Sequence, residues 1–144
     1  MNIGVLVVEL KILVPLLSGR ENDKLFIDAL CKEAKEVVIL QIVDKQFLPK
    51  AGSAMAEVRQ YRIVSDDLRK AIGAKRKKFL EMTEWGITIP KIISTAMFQK
   101  VDKVYLVKQS NQFFDEIINA LKEKKIKFEL VDLPIIEPVK KKLF

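Results

Sequence analysis

A chain of 144 residues, 49% apolar and 31% charged, is long enough to bury one hydrophobic core and reads as a single domain over 1–144, which excludes intrinsic disorder. The chain contains no histidine, which removes the commonest general base and metal ligand at neutral pH. The formal charge of +7 comes largely from Arg69 to Lys78, Leu121 to Lys127 and the lysines of the tail. At helix ends and a terminus such lysines favour the helix dipole. Aromatic residues do not alternate with them as a stacking platform would require, so no nucleic-acid partner is expected.

Residues 1–10 form an apolar N-terminal extension in which Ile3 to Val8 reads as extended chain: an edge strand, a continuation of the first strand, or an arm for a partner. Glu9 and Lys11 interrupt the apolar run before it reaches the roughly twenty residues of a membrane span, so no membrane partner is expected. Lys11 to Leu17 (KILVPLL) is a branched apolar run bounded by Ser18 and Gly19, the pattern of a strand buried on both faces. Helix one follows, capped by Ser18 or Asn22, with Leu25, Phe26, Ala29, Leu30 and Ala34 as its stripe. Cys31 sits in that helix and reads as a small buried apolar residue. Being single, it cannot form an internal disulfide, and a cytoplasmic protein is expected.

Val37 to Val43 is the second strand, ending at Asp44. Helix two runs from about Ala54 to Ile72, with Ser53 as cap and Gly73 as stop. Lys77 to Glu84 suits either a prolonged helix two or a third strand. Thr88 and Pro90 open another helix, and a strand is needed between the two, so the strand reading is adopted. Strand four covers Lys103 to Lys108. Helix four follows, with Phe113, Phe114, Ile117, Ile118 and Leu121 as its stripe. Strand five covers Lys127 to Leu133, and 134–144 is a proline-broken tail. Alternating strands and helices imply an α/β fold: a single three-layer α/β/α domain, Rossmann-like, with a parallel sheet and an extra N-terminal strand if Ile3 to Val8 pairs. Ligands then sit beyond the carboxyl ends of the strands, after Leu17, Val43 and Lys108.

The ordered set of segments resembles the universal stress protein family. KILVPLLSG is similar to its first strand, FIDALCKEAKE with VVILQIVD to its first helix and second strand, and TIPKIISTAMFQKVDKVYLV to its short third helix and fourth strand, with Asp102 matching the family's Asp. The resemblance spans roughly Lys11 to Leu133 and implies five strands in the order 3-2-1-4-5. Family members divide into ATP binders and non-binders, and binders carry a glycine motif after strand four. Here that stretch is KQSNQFFDEIINALK, without glycine, and Leu17 replaces the acidic residue that touches nucleotide; Ser18, Gly19 and Asp44 keep matching types. ATP is thus a conceivable ligand whose motif is absent, and no cofactor is expected.

Lys108, Ser110 and Asn111, with Arg20 across from them, stand at the sheet mouth and suit a phosphate. The competing assignment is that Ser110 or Asn111 caps helix four and Lys108 is solvated. No acid–base couple can be named: Asp66 and Asp67 face different directions on a helix, and Glu81 and Glu84 lie on opposite faces of a strand. The reading is a non-catalytic universal-stress-like protein, homodimeric through the last strand or the N-terminal extension, acting by interaction or small-ligand sensing. A nucleotide-binding or hydrolysing enzyme of the related pyrophosphate-loop type is the alternative, from the likeness of LLSGREND to SGGxDS, with Arg20 as the objection. A basic nucleic-acid-associated protein is the second alternative.

Overall fold

The structure, a computed structural model, describes residues 9–46 and 53–134, with side chains described over 9–46 and 61–134. The expected strand at Ile3 to Val8 and the tail beyond Pro134 lie outside the described residues. Nine elements alternate along the chain: β1 (Leu10–Pro15), α1 (Lys24–Glu33), β2 (Ala34–Val43), α2 (Ser53–Ala74), β3 (Lys78–Trp85), α3 (Thr88–Phe98), β4 (Lys103–Val107), α4 (Gln112–Glu123) and β5 (Phe128–Val131). The five strands form one sheet in the order β3-β2-β1-β4-β5, and every neighbouring pair is parallel. The expected order is the observed one.

The apolar run of β1 is continuous because both its faces are covered. Ile12 and Val14 lie in one core with Phe26 and Leu30 of α1 and Val64, Leu68 and Ile72 of α2. Leu13 lies in the other, with Ile92 and Ala96 of α3 and Phe114, Ile117 and Leu121 of α4. Burying each such side chain contributes about 1.5–3 kcal/mol, which makes the central strands the most firmly held part of the domain. Lys77 to Glu84 is a strand and not a prolonged helix: β3 pairs with β2 without a register break from Glu36↔Lys78 to Val43↔Trp85. It is an edge strand, and most of its residues are exposed.

Several expected boundaries change. Helix α1 is capped by neither Ser18 nor Asn22. Asp23 is the cap, its carboxylate accepting from Leu25 N at 2.9 Å, because Ser18 is engaged one turn earlier. Leu25 is exposed, and Ile27 and Cys31 take its place in the buried stripe. Ala34 ends α1 and opens β2, so it belongs to the strand. Gly73 does not stop α2, which runs on to Ala74; Arg76 takes the left-handed conformation that closes the turn. Lys100 after α3 and Lys125 after α4 do the same. In all three turns a backbone N–H reaches five residues back, from Lys77 to Ile72 O, Val101 to Ala96 O and Ile126 to Leu121 O, the bond of a Schellman closure.

Candidate functional site

The carboxyl ends of β1, β2 and β4 face the same end of the sheet, and the residues singled out from sequence stand there. After Pro15 the chain turns sharply, with Gly19 at φ 79°, a conformation that favours glycine. The turn aims successive backbone N–H groups inward, an arrangement that ordinarily holds an anion. Here the anion is supplied by the chain. Glu21, 1% exposed, places Oε2 at 3.2 Å from Leu17 N, 2.9 Å from Ser18 N and 2.7 Å from Ser18 Oγ, and Oε1 at 3.1 Å from Gly19 N. Ser18 Oγ also accepts from Arg20 N at 3.0 Å. Sequence reasoning missed Glu21. The available signal was the Ser-x-x-Glu spacing of Ser18 and Glu21, the pattern of a capping box.

Asp44 is likewise occupied. It is buried at the end of β2, and its Oδ2 accepts from Thr88 N at 2.8 Å and Thr88 Oγ1 at 2.9 Å, while Oδ1 accepts from Gln46 N at 2.9 Å. Ile87, the N-cap residue of α3, contributes no side-chain cap, so Asp44 serves the first turn of that helix from a distant strand. Burial opposes the Asp44 charge, but the hydrogen bonds from Gln46 and Thr88 outweigh it and hold the carboxyl below its usual range.

The remaining residues do not assemble into a phosphate cradle. Asn111 caps α4, its side chain accepting from Phe114 N at 2.7 Å, and Ser110 and Lys108 are exposed. Arg20 donates through Nη2 to Pro134 O at 2.8 Å and lies 3.8 Å from Asp23, and its buried Nε has no hydrogen-bond partner among the described residues. Leu17 packs against the α3/α4 core, and its carbonyl accepts from the Tyr61 hydroxyl at 3.2 Å. A cleft of about 630 Å³ opens between the N-terminal turns of α3 and α4. Among the described residues its ionisable lining is Asp44 and Glu116, with no Lys or Arg, a poor setting for a polyphosphate.

A second ionic cluster lies on the α1 side of β4. Tyr105 and Lys103 both donate to Glu33, the ammonium at 2.9 Å from Oε2, and Lys103 also reaches Glu129 at 3.5 Å. The Tyr105 and Lys103 hydrogen bonds lower the Glu33 pKa against the opposing effect of burial. Burial first, and Glu33 second, raise that of the Tyr105 phenol. This is a structural ion-pair network joining α1, β4 and β5. Cys31 is buried, and its thiol pKa is raised by desolvation, the opposite of an activated nucleophile. Among the described residues no group of carboxylates and cysteine could hold a metal ion, and no helix is long and apolar enough to cross a membrane.

Glu81 and Glu84 take opposite faces of β3, as expected: Glu81 accepts from Ser65 of α2, and Glu84 meets Lys91 of α3 at 3.3 Å. Asp66 pairs with Arg69 and Asp67 accepts from Asn22, so these two also point apart. Asp102, matched to the family's Asp, ties β1 to β4, its carboxylate accepting from Lys11 N at 2.8 Å.

No protein-family model matches the chain, and no curated protein matches it. Solved structures do. The hypothetical protein MJ0577 superposes with a TM-score of 0.62 at 14% identity, covering 86% of this chain and 96% of that one. A universal stress protein family member from Burkholderia pseudomallei gives 0.59 at 11% identity, over 85% and 96%. The chain has the fold of universal stress protein structures. A universal stress protein solved in complex with cAMP gives 0.55 at 16% identity, over 85% and 96%. At these identities the likeness concerns architecture, and the residues at the site are read on their own geometry.

Proposed function

We propose that this chain is a universal-stress-protein-like protein whose nucleotide site has been taken over by its own side chains, and that it acts non-catalytically, by interaction, as a cytoplasmic homodimer. The observation that carries this reading is the Glu21 carboxylate, which takes the N–H groups of Leu17, Ser18 and Gly19. A nucleotide phosphate would have to displace a tethered, fully hydrogen-bonded anion. The stretch after β4 lacks the glycines that would bring other N–H groups close to a phosphate, and the ionisable residues described in the cleft between α3 and α4 are both carboxylates, Asp44 and Glu116.

Calorimetric titration with ATP and Mg²⁺, and separately with cAMP, the ligand of one structural neighbour, tests this. The expected result is no saturable heat at ligand concentrations up to about 1 mM. A dissociation constant near 1 μM, or AMP release, would favour the pyrophosphate-loop enzyme instead.

A further inference from the structure

The two edges of the sheet are unequal. Strand β5 offers four residues, whereas β3 offers eight, regular throughout, with no proline, no bulge and no described strand beyond it. Natural sheets usually blunt such an edge with proline, a bulge or charged side chains, and of these β3 has only the charges of Lys78, Glu81 and Glu84. Between them three large apolar residues of β3 stand in solvent: Phe79 at 41%, Leu80 at 39% and Trp85 at 60% exposure.

The direction of the free backbone groups follows from one bond. Gly86 N donates inward to Val43 O at 3.1 Å. By the two-residue period of a strand, Phe79, Glu81, Thr83 and Trp85 turn their N–H and C=O groups outward. Phe79, Glu81, Thr83 and Trp85 lie on the α2 face, since Glu81 meets Ser65, and Lys78, Leu80, Met82 and Glu84 on the α3 face, since Glu84 meets Lys91.

We propose that a second copy of this chain docks on β3 as an antiparallel strand, about a two-fold axis through Met82. Such an axis, normal to the sheet, keeps each face with itself, so it must pass through a residue. Centred on Glu81 it would oppose two carboxylates. Centred on Met82 it uses every outward group: Phe79 faces Trp85 of the second copy and Glu81 faces Thr83, each as a hydrogen-bonded pair. The exposed aromatics then cover one another, twice by symmetry. On the other face Leu80 lies opposite Glu84 of the second copy, and Lys78 lies diagonal to that Glu84, where it can share the carboxylate that Lys91 meets at 3.3 Å. The inference rests on the homodimer reading and moves its interface from the last strand and the N-terminal extension to the opposite edge.

The test uses the full chain. Sedimentation equilibrium of the unmodified protein is expected to show a dimer at micromolar concentration. Trp85→Lys, at an exposed position, is expected to weaken the dimer at least tenfold with the circular dichroism spectrum unchanged, and Val131→Lys on β5 to leave it intact. Met82→Cys is expected to cross-link with copper–phenanthroline as oxidant, since opposed residues at such a pair sit about 4.5 Å apart at Cα, within disulfide reach. The only native cysteine, Cys31, is buried and supplies no background. A dimer lost with Val131→Lys but indifferent to Trp85→Lys would overturn the β3 interface and keep the homodimer. A monomer at about 100 μM, too weak for a specific interface, would overturn both.

Discussion

Glu21 Oε2 lies 2.7 Å from the hydroxyl of Ser18 and 2.9 Å from its backbone nitrogen, in a turn built to receive an anion. Glu21→Ala is expected to destabilise the protein by about 1–3 kcal/mol, because partly buried N–H donors lose their acceptor. It also empties the turn for an outside anion. Urea denaturation with and without sulfate, at matched ionic strength, should show sulfate stabilising the variant more than the native protein, which gains only the general salting-out effect. Equal sulfate effects on both would show that the turn is not the anion seat.

Removal of the remote cap formed by Asp44 should loosen α3. Asp44→Ala is expected to cost about 1–2 kcal/mol, the range of a lost N-cap, and Thr88→Val less, since the backbone bond to Asp44 survives. A double-mutant cycle should return a coupling of at least about 0.5 kcal/mol between the two; additivity would contradict the geometry.

Stability should fall at both ends of the pH scale. The Asp44 and Glu33 carboxyls sit below their ordinary range in the folded chain. Their contribution is complete above about pH 5 and is lost as pH falls through the folded values. The Lys103 ammonium and the Tyr105 phenol are both raised. Their contribution is complete below about pH 9 and is lost as pH rises past 10, where the unfolded groups deprotonate first. Denaturation midpoints measured from pH 3 to 11 should trace a plateau with two falling limbs. Tyr105→Phe should flatten the alkaline one.

An acidic residue at position 17, where the family resemblance implies one, should not create a nucleotide site. Leu17→Asp is expected to bind no ATP in calorimetry at concentrations up to about 1 mM. Glu21 would still hold the turn, and the α4 entrance would still lack glycine. Tight binding by this variant would place the site elsewhere.

The fold was legible because period and order survive in the sequence. The unbroken apolar runs of β1 and β2 marked strands covered on both faces, and Phe114, Ile117 and Leu121 marked the buried side of α4. Lys77 to Glu84 was harder: an edge strand loses the burial pattern, and Leu, Glu and Met suit helix equally. The site was less legible because its decisive residue is a glutamate, and Glu is ordinarily a solvated surface residue. Only the three-residue spacing to Ser18 hinted that Glu21 turns inward. Asp44 could be located but not interpreted, since its partner Thr88 is brought to it by the crossover through α2 and β3.

A protein that binds an anion from solution folds more firmly as that anion accumulates and less firmly as it is depleted. In this chain the anion is a covalent part of the polypeptide, always present and always in the same proportion. On the reading proposed above, the β1 turn carries no thermodynamic linkage to the nucleotide pool.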